Sequence, residues 1–67
     1  MAVVKVIELL VESNVSWEAA TQDAVVEASK TVRNIQTVYI DGFQAVVGND
    51  GKLRYRVDAK ISFLIDN

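Results

Sequence analysis

Cysteine and histidine are both missing from this 67-residue chain. Without cysteine there is no disulfide, no thiolate nucleophile, no iron–sulfur cluster and no c-type haem attachment. Without histidine there is no Ser-His-Asp relay and no imidazole general base. A Cys/His zinc site is excluded with them. No run approaches the roughly 20 apolar residues of a membrane-spanning helix. A basic excess is also absent. Seven Lys and Arg stand against nine Asp and Glu, a net charge of −2. That balance argues against a nucleic-acid partner, whose affinity rests on a basic surface. The first ten residues carry Lys5 and Glu8 inside their apolar run and lack a small-residue cleavage site. They do not read as a signal peptide, and the expected location is cytoplasmic.

What the chain has is apolar side chain. Such residues make up 51% of it, before its three glycines are added. A chain of this length buries only roughly 60% of the surface its unfolded form exposes. Small domains compensate with disulfides, metals or association. With no cysteine and no histidine, association is the remaining route, so an oligomer is expected.

One domain covering residues 1–67 fits this length. Val3–Val11 is dense in β-branched residues and reads as a strand. Ser13-Asn14-Val15-Ser16 breaks it. Ser16 suits a helix N-cap, with Glu18 in the first turn where the dipole favours an anion. From Trp17 the period changes to three and four, through Ala20, Ala24, Val25, Ala28 and Val32 to Ile35. That spacing predicts an amphipathic helix of about five turns, with Lys30 and Arg33 in its last turns. Its alanines let another layer approach closely. Gln36–Val47 returns to strand character, and Gly42 inside it predicts a bulge or bend. Gly48-Asn49-Asp50-Gly51 predicts a hairpin turn. Leu53–Ile65 alternates apolar and polar residues almost without fault, as a long half-buried strand does.

The order is therefore strand-helix-strand-strand, an α+β chain. The hairpin sets the last two strands antiparallel, and the helix returns the first strand parallel to the second. A purely antiparallel three-stranded sheet then needs the last strand in the middle. Both outer strands keep open edges, which invite pairing with another chain.

Lys52, Arg54, Arg56 and Lys60 share one strand face. They make either an anion site or a solvated face paired across strands to Glu8, Glu12 or Asp41, and alternation alone generates the second. Asp41, Asn49 and Asp50 are oxygen donors of the kind calcium takes, as are Glu12, Ser13 and Asn14. Plain turn chemistry accounts for the same residues. Trp17, at the first helical position, reads as an anchor of the core or of a subunit contact rather than a ligand-stacking ring. Tyr39 shares a face with Thr37 and Asp41, whereas Tyr55 belongs to the buried series. No carboxylate pair is spaced for acid–base work, and no Gly-rich loop opens a helix.

In this element order, the residues resemble the dodecin family over nearly the whole chain. The likeness rests on Val4-Lys5-Val6-Ile7-Glu8, Ser16-Trp17-Glu18-Ala19-Ala20, Thr31-Val32-Arg33-Asn34-Ile35, Tyr55-Arg56-Val57 and Ile61-Ser62-Phe63. The resemblance implies a three-stranded antiparallel sheet wrapped around one helix, assembled as a hollow homododecamer. It implies a non-enzymatic storage protein that binds riboflavin or FMN in pairs at two-fold contacts. The flavin-stacking Trp of typical members corresponds to Thr37 here, and the flavin-bonding Gln of the last strand to Arg56. The implied cofactor-binding positions are Thr37, Arg56 and Tyr39, with flavin affinity weakened. Losing a stacking ring forfeits about 1–3 kcal/mol by analogy with base stacking, and Arg donates hydrogen bonds but accepts none. A subset known as calcium dodecins also lacks the Trp and keeps Tyr-Arg. That makes calcium the alternative ligand, with no metal-binding residues assigned.

Overall fold

The computed structural model describes residues 1–65, and residues 66 and 67 lie outside the described region. Strand β1 spans Val4–Ser13, helix α1 Trp17–Ala28, strand β2 Ile35–Val47 and strand β3 Leu53–Leu64. The sheet order is β1-β3-β2 with both pairings antiparallel, so the last strand is central, as expected.

The helix starts where its cap allows. Ser16 is extended, and its side-chain oxygen accepts the Ala19 N–H at 2.9 Å. This satisfies one of the donors that a first turn leaves orphaned. The expected five turns do not form: α1 ends at Ala28, well before Ile35. Lys30 and Thr31 close the chain through three-residue bonds to Glu27 and Ala28. The β-branched pair Thr31 and Val32 is a poor helix former, and Asn34 adopts φ 63°. Lys30 and Arg33 therefore lie beyond the last turn, and Lys30 pairs with Glu27 at 2.9 Å. The apolar period outlasts the helix because Val32 and Ile35 still pack on the core from the connecting loop and the start of β2.

Ala20, Ala24 and Ala28 recur every four residues on one buried helix face. They meet Val57, Ala59 and Ile61, the inward alternates of β3. Small residues on both sides bring helix and sheet backbones close, which is how so short a chain builds a dry core. The core lies under the central strand because only β3 is flanked on both edges.

Two register shifts interrupt β2, between Ile35 and Thr37 and between Ile40 and Gly42. The second is the bulge that Gly42 suggests, and it leaves Asp41 unpaired in the ladder. The hairpin loop closes through Gly48 N–H to the Lys52 carbonyl and Gly51 N–H to the Gly48 carbonyl, both at 2.9 Å. Gly51 sits at φ +77°, where a side chain would be strained.

A helix of 12 residues is about 18 Å long, whereas strands of 12–13 residues run about 40 Å. The molecule measures 50 × 20 × 15 Å. Part of the sheet therefore extends beyond any cover the helix can give.

Candidate functional site

Alternation along β3 sends Lys52, Arg54, Arg56, Asp58, Lys60 and Ser62 to the sheet face away from the helix. The antiparallel register sets β1 residues opposite them, with Glu8 facing Lys60 and Glu12 facing Arg56. On the other side β2 sets Thr37 against Ser62 and Tyr39 against Lys60.

Two charge groups form on this face. At the hairpin end Glu12 accepts from Arg54 Nε at 3.1 Å and from Arg56 Nε at 2.9 Å, with a further contact from Arg56 Nη2. The Arg56 bonds, then those of Arg54, hold the Glu12 carboxyl below the usual value. At the centre Glu8, Asp41 and Asp58 place carboxylate oxygens within 4.8 Å of one another. Asp41 joins them through the bulge and pairs with Lys60 at 3.3 Å. Glu8 is pushed up, first by sharing a hydrogen bond with Asp58 and then by that neighbour's charge. Lys60 is pushed up by Asp41. One Asp58 oxygen is buried with no hydrogen-bond partner.

Arg54, Arg56 and Lys60 of the basic strip are thus paired across strands, as the alternation suggests. The oxygen donors sort differently from either grouping drawn from the sequence. Asp50 accepts the Lys52 N–H at 3.0 Å and Ser13 the Val15 N–H at 3.0 Å, both ordinary turn contacts. Glu12 is taken up by two arginines. Asp41 leaves Asn49 and Asp50 to meet Glu8 and Asp58. That trio was missed because the β1–β3 register is not set by a hairpin and so could not be counted from the sequence. The usable signal was the pair of acidic residues on outward positions, Glu8 and Asp58, beside a bulge Gly.

Thr37 and Tyr39 are exposed on this face, and the Thr37 hydroxyl lies within hydrogen-bond reach of the Ser62 hydroxyl. Arg56 lies six residues along β3 from Ser62, about 20 Å away. One chain does not bring Thr37 and Arg56 together. The trio offers hard oxygen ligands, the kind calcium takes at about 2.3–2.6 Å, but three of the 6–8 it needs.

Trp17 is not a core residue within the chain. It is 37% exposed and packs tilted against Phe43 at 5.5 Å and edge-on against Tyr55 at 5.1 Å. Its Nε1–H donates to the Gln44 carbonyl at 3.1 Å. The two tyrosines fall on opposite faces, as expected, and Tyr55 is half-buried.

The geometry defines a small strand-helix-strand-strand protein, with a charged sheet face and much apolar surface left exposed. Residues 3–66 match the Dodecin family model, and the chain belongs to that family. It is 35% identical over 63 residues to a Mycobacterium tuberculosis protein named calcium dodecin, covering 94% of this chain and 89% of that one. The crystal structure of that organism's calcium dodecin, described as having a novel calcium-binding site, superposes with a TM-score of 0.86. The identity is 33%, and the match covers 96% of this chain and 91% of that one. A Thermus thermophilus dodecin variant gives a TM-score of 0.91 at 28% identity, covering all of this chain and 98% of the other. A Streptomyces coelicolor dodecin at 21% identity shares the fold, with a TM-score of 0.90. Among the described residues, no helix is long and apolar enough to cross a membrane.

Proposed function

We propose that this chain forms a hollow homododecameric shell that binds a small ligand and catalyses no reaction. One observation carries the reading: large apolar side chains stand exposed on both sheet faces, Val4, Val6 and Leu10 on one and Phe43 and Val47 on the other. A monomer gains nothing from that surface, and association buries it. In this reading the shell descends from a flavin binder whose site has been altered. Thr37, Tyr39 and Arg56 occupy the ligand positions, contributed by different copies. Thr37 supplies no ring, and Arg56 is already satisfied by Glu12, so riboflavin and FMN bind weakly.

A second reading, calcium binding, is favoured by the trio of Glu8, Asp41 and Asp58 with its unpartnered Asp58 oxygen. The name of the 35% identical relative agrees with it.

Titration of riboflavin fluorescence and of calcium heat separates the two. Replacing Thr37→Trp together with Arg56→Gln should tighten riboflavin at least tenfold, which needs only about 1.4 kcal/mol. A parent protein that already binds riboflavin at nanomolar concentration overturns the altered-site reading. Calcium heat that survives Asp58→Asn unchanged removes the trio from the second. A folded 7.4 kDa monomer at micromolar concentration overturns the shell itself.

A further inference from the structure

We infer that the cavity between β1, the end of β3 and the α1–β2 loop is a binding site for a phosphate monoester carried on an apolar or aromatic body. It lies on the inward sheet face, opposite to the one that carries Thr37 and Tyr39, and it goes beyond the shell reading.

The inward strand pattern has one exception. Of the residues paired across the sheet on that face, Lys5 alone is charged. Its register partner is the half-buried Phe63, which has Ile35 of β2 on its other side. Lys5 makes no ion pair with a described residue. The helix ends at Ala28, and the loop that follows curls back over this end of the sheet. Loop and sheet enclose a cavity of about 310 Å³, lined by Lys5, Thr31, Val32, Arg33, Phe63 and Ile65 among others. That is the lower end of the size range of small-ligand pockets. No carboxylate of the described residues lines it.

Backbone bonds fix its walls. Leu64 N–H donates to the Asn34 carbonyl at 3.1 Å and Ile65 N–H to the Val3 carbonyl at 2.9 Å, which ties the loop, β3 and the start of β1 together. Thr31 and Val32 N–H both reach the Ala28 carbonyl at 3.0 Å, and Lys30 N–H reaches the Glu27 carbonyl at 3.2 Å. The last helix carbonyls are satisfied by these bonds, so the cations of the cavity are not needed as helix caps.

The lining selects the ligand. Val32, Phe63 and Ile65 offer an apolar wall with one ring, which takes a hydrocarbon or aromatic body. Lys5 supplies three N–H donors and Arg33 a fork of five, and neither side chain accepts a hydrogen bond. Five donors let a guanidinium serve a ligand in addition to its other contacts. Donors on two separate chain segments, with no carboxylate beside them, select an anion. A phosphate monoester carries about −1.5 to −2 charge at pH 7 and three acceptor oxygens, enough to bridge both cations. A carboxylate has one charge and two oxygens. The whole chain has a net charge of −2, so charge alone does not draw an anion here, and the apolar body must contribute to binding.

The probe is phenyl phosphate, titrated by calorimetry into the full chain. Inorganic phosphate and benzyl alcohol carry its two halves separately. Phenyl phosphate should bind at least tenfold more tightly than either. Lys5→Gln, shown folded by circular dichroism, should weaken it at least tenfold. Lys52→Gln removes the same charge at the hairpin end and should leave binding unchanged. Limited acetylation read by mass spectrometry locates the ligand on the parent protein, and it decides the matter should Lys5→Gln fail to fold. Phenyl phosphate should protect Lys5 and leave Lys52 reactive. No binding of phenyl phosphate at millimolar concentration overturns the inference. So does an equal loss in the two variants, which is attraction to net charge. Inorganic phosphate bound as tightly as phenyl phosphate removes the apolar body and overturns it as well. A Lys5 that resists acetylation with no ligand present marks a cavity already filled by protein and overturns it too.

Discussion

The two ends of the long sheet have the same strand pattern and opposite fates. Under the helix, Val57, Ala59 and Ile61 are buried against Ala20, Ala24 and Ala28. On the β2 edge level with the start of the helix, and beyond it, Phe43, Val47 and Leu53 continue the inward alternation and remain exposed. Alternation therefore says which side of a strand is apolar, but not whether anything covers it. The covered half stabilises one copy. The bare half leaves apolar surface that one copy does not cover.

The largest test of that contrast lies in the covered half. Ile61→Ala should cost about 2–5 kcal/mol in chemical denaturation, because Ile61 is fully buried and the site cannot collapse against alanines. A loss as small as that expected at an exposed position would erase the distinction between the halves.

At the boundary, Trp17→Ala removes two ring contacts, each worth about 0.5–1.5 kcal/mol, and one hydrogen bond of about 1 kcal/mol. The expected loss is about 2–4 kcal/mol, below that of a fully buried Trp of the same size. Unchanged thermal stability would mean that Phe43 and Tyr55 are not held by the tryptophan.

Ser16→Ala should cost about 1 kcal/mol through the lost cap bond to Ala19. Ser16→Gly should recover most of it, which a packing role for Ser16 would not allow.

The smallest effect lies on the charged face. Glu8 takes up a proton more readily folded than unfolded, so it makes folding less favourable at neutral pH. That penalty disappears as pH falls through its raised value toward the ordinary 4.5. Glu8→Gln should therefore melt slightly higher than the parent at pH 7 and equal to it near pH 4.5. Glu12 works the other way: its contribution is present above the ordinary 4.5 and lost as pH falls through its lowered value. Melting curves of Glu12→Gln should fall below the parent at pH 7. A Glu8→Gln protein that melts lower at pH 7 would show that Lys60 outweighs Asp58 as its neighbour.

The element order, the central place of β3, the Ser16 cap, the Gly42 bulge and the outward alternation of the basic strip all follow from local rules. Each depends on period, turn chemistry or one residue's backbone freedom, which neighbours in the sequence settle. The length of the helix did not follow. Val32 and Ile35 keep the helical spacing although they pack from a loop and a strand end, because a chain running back along its own core repeats the same apolar demand. The grouping of Glu8, Asp41 and Asp58 did not follow either. It joins three strands through a register that no hairpin fixes and a bulge that moves Asp41 out of the ladder. The sequence by itself determined which faces are apolar and in what order the elements come. Only the tertiary structure decided which part of each face is covered and which charges meet, because both depend on contacts between residues far apart in the chain.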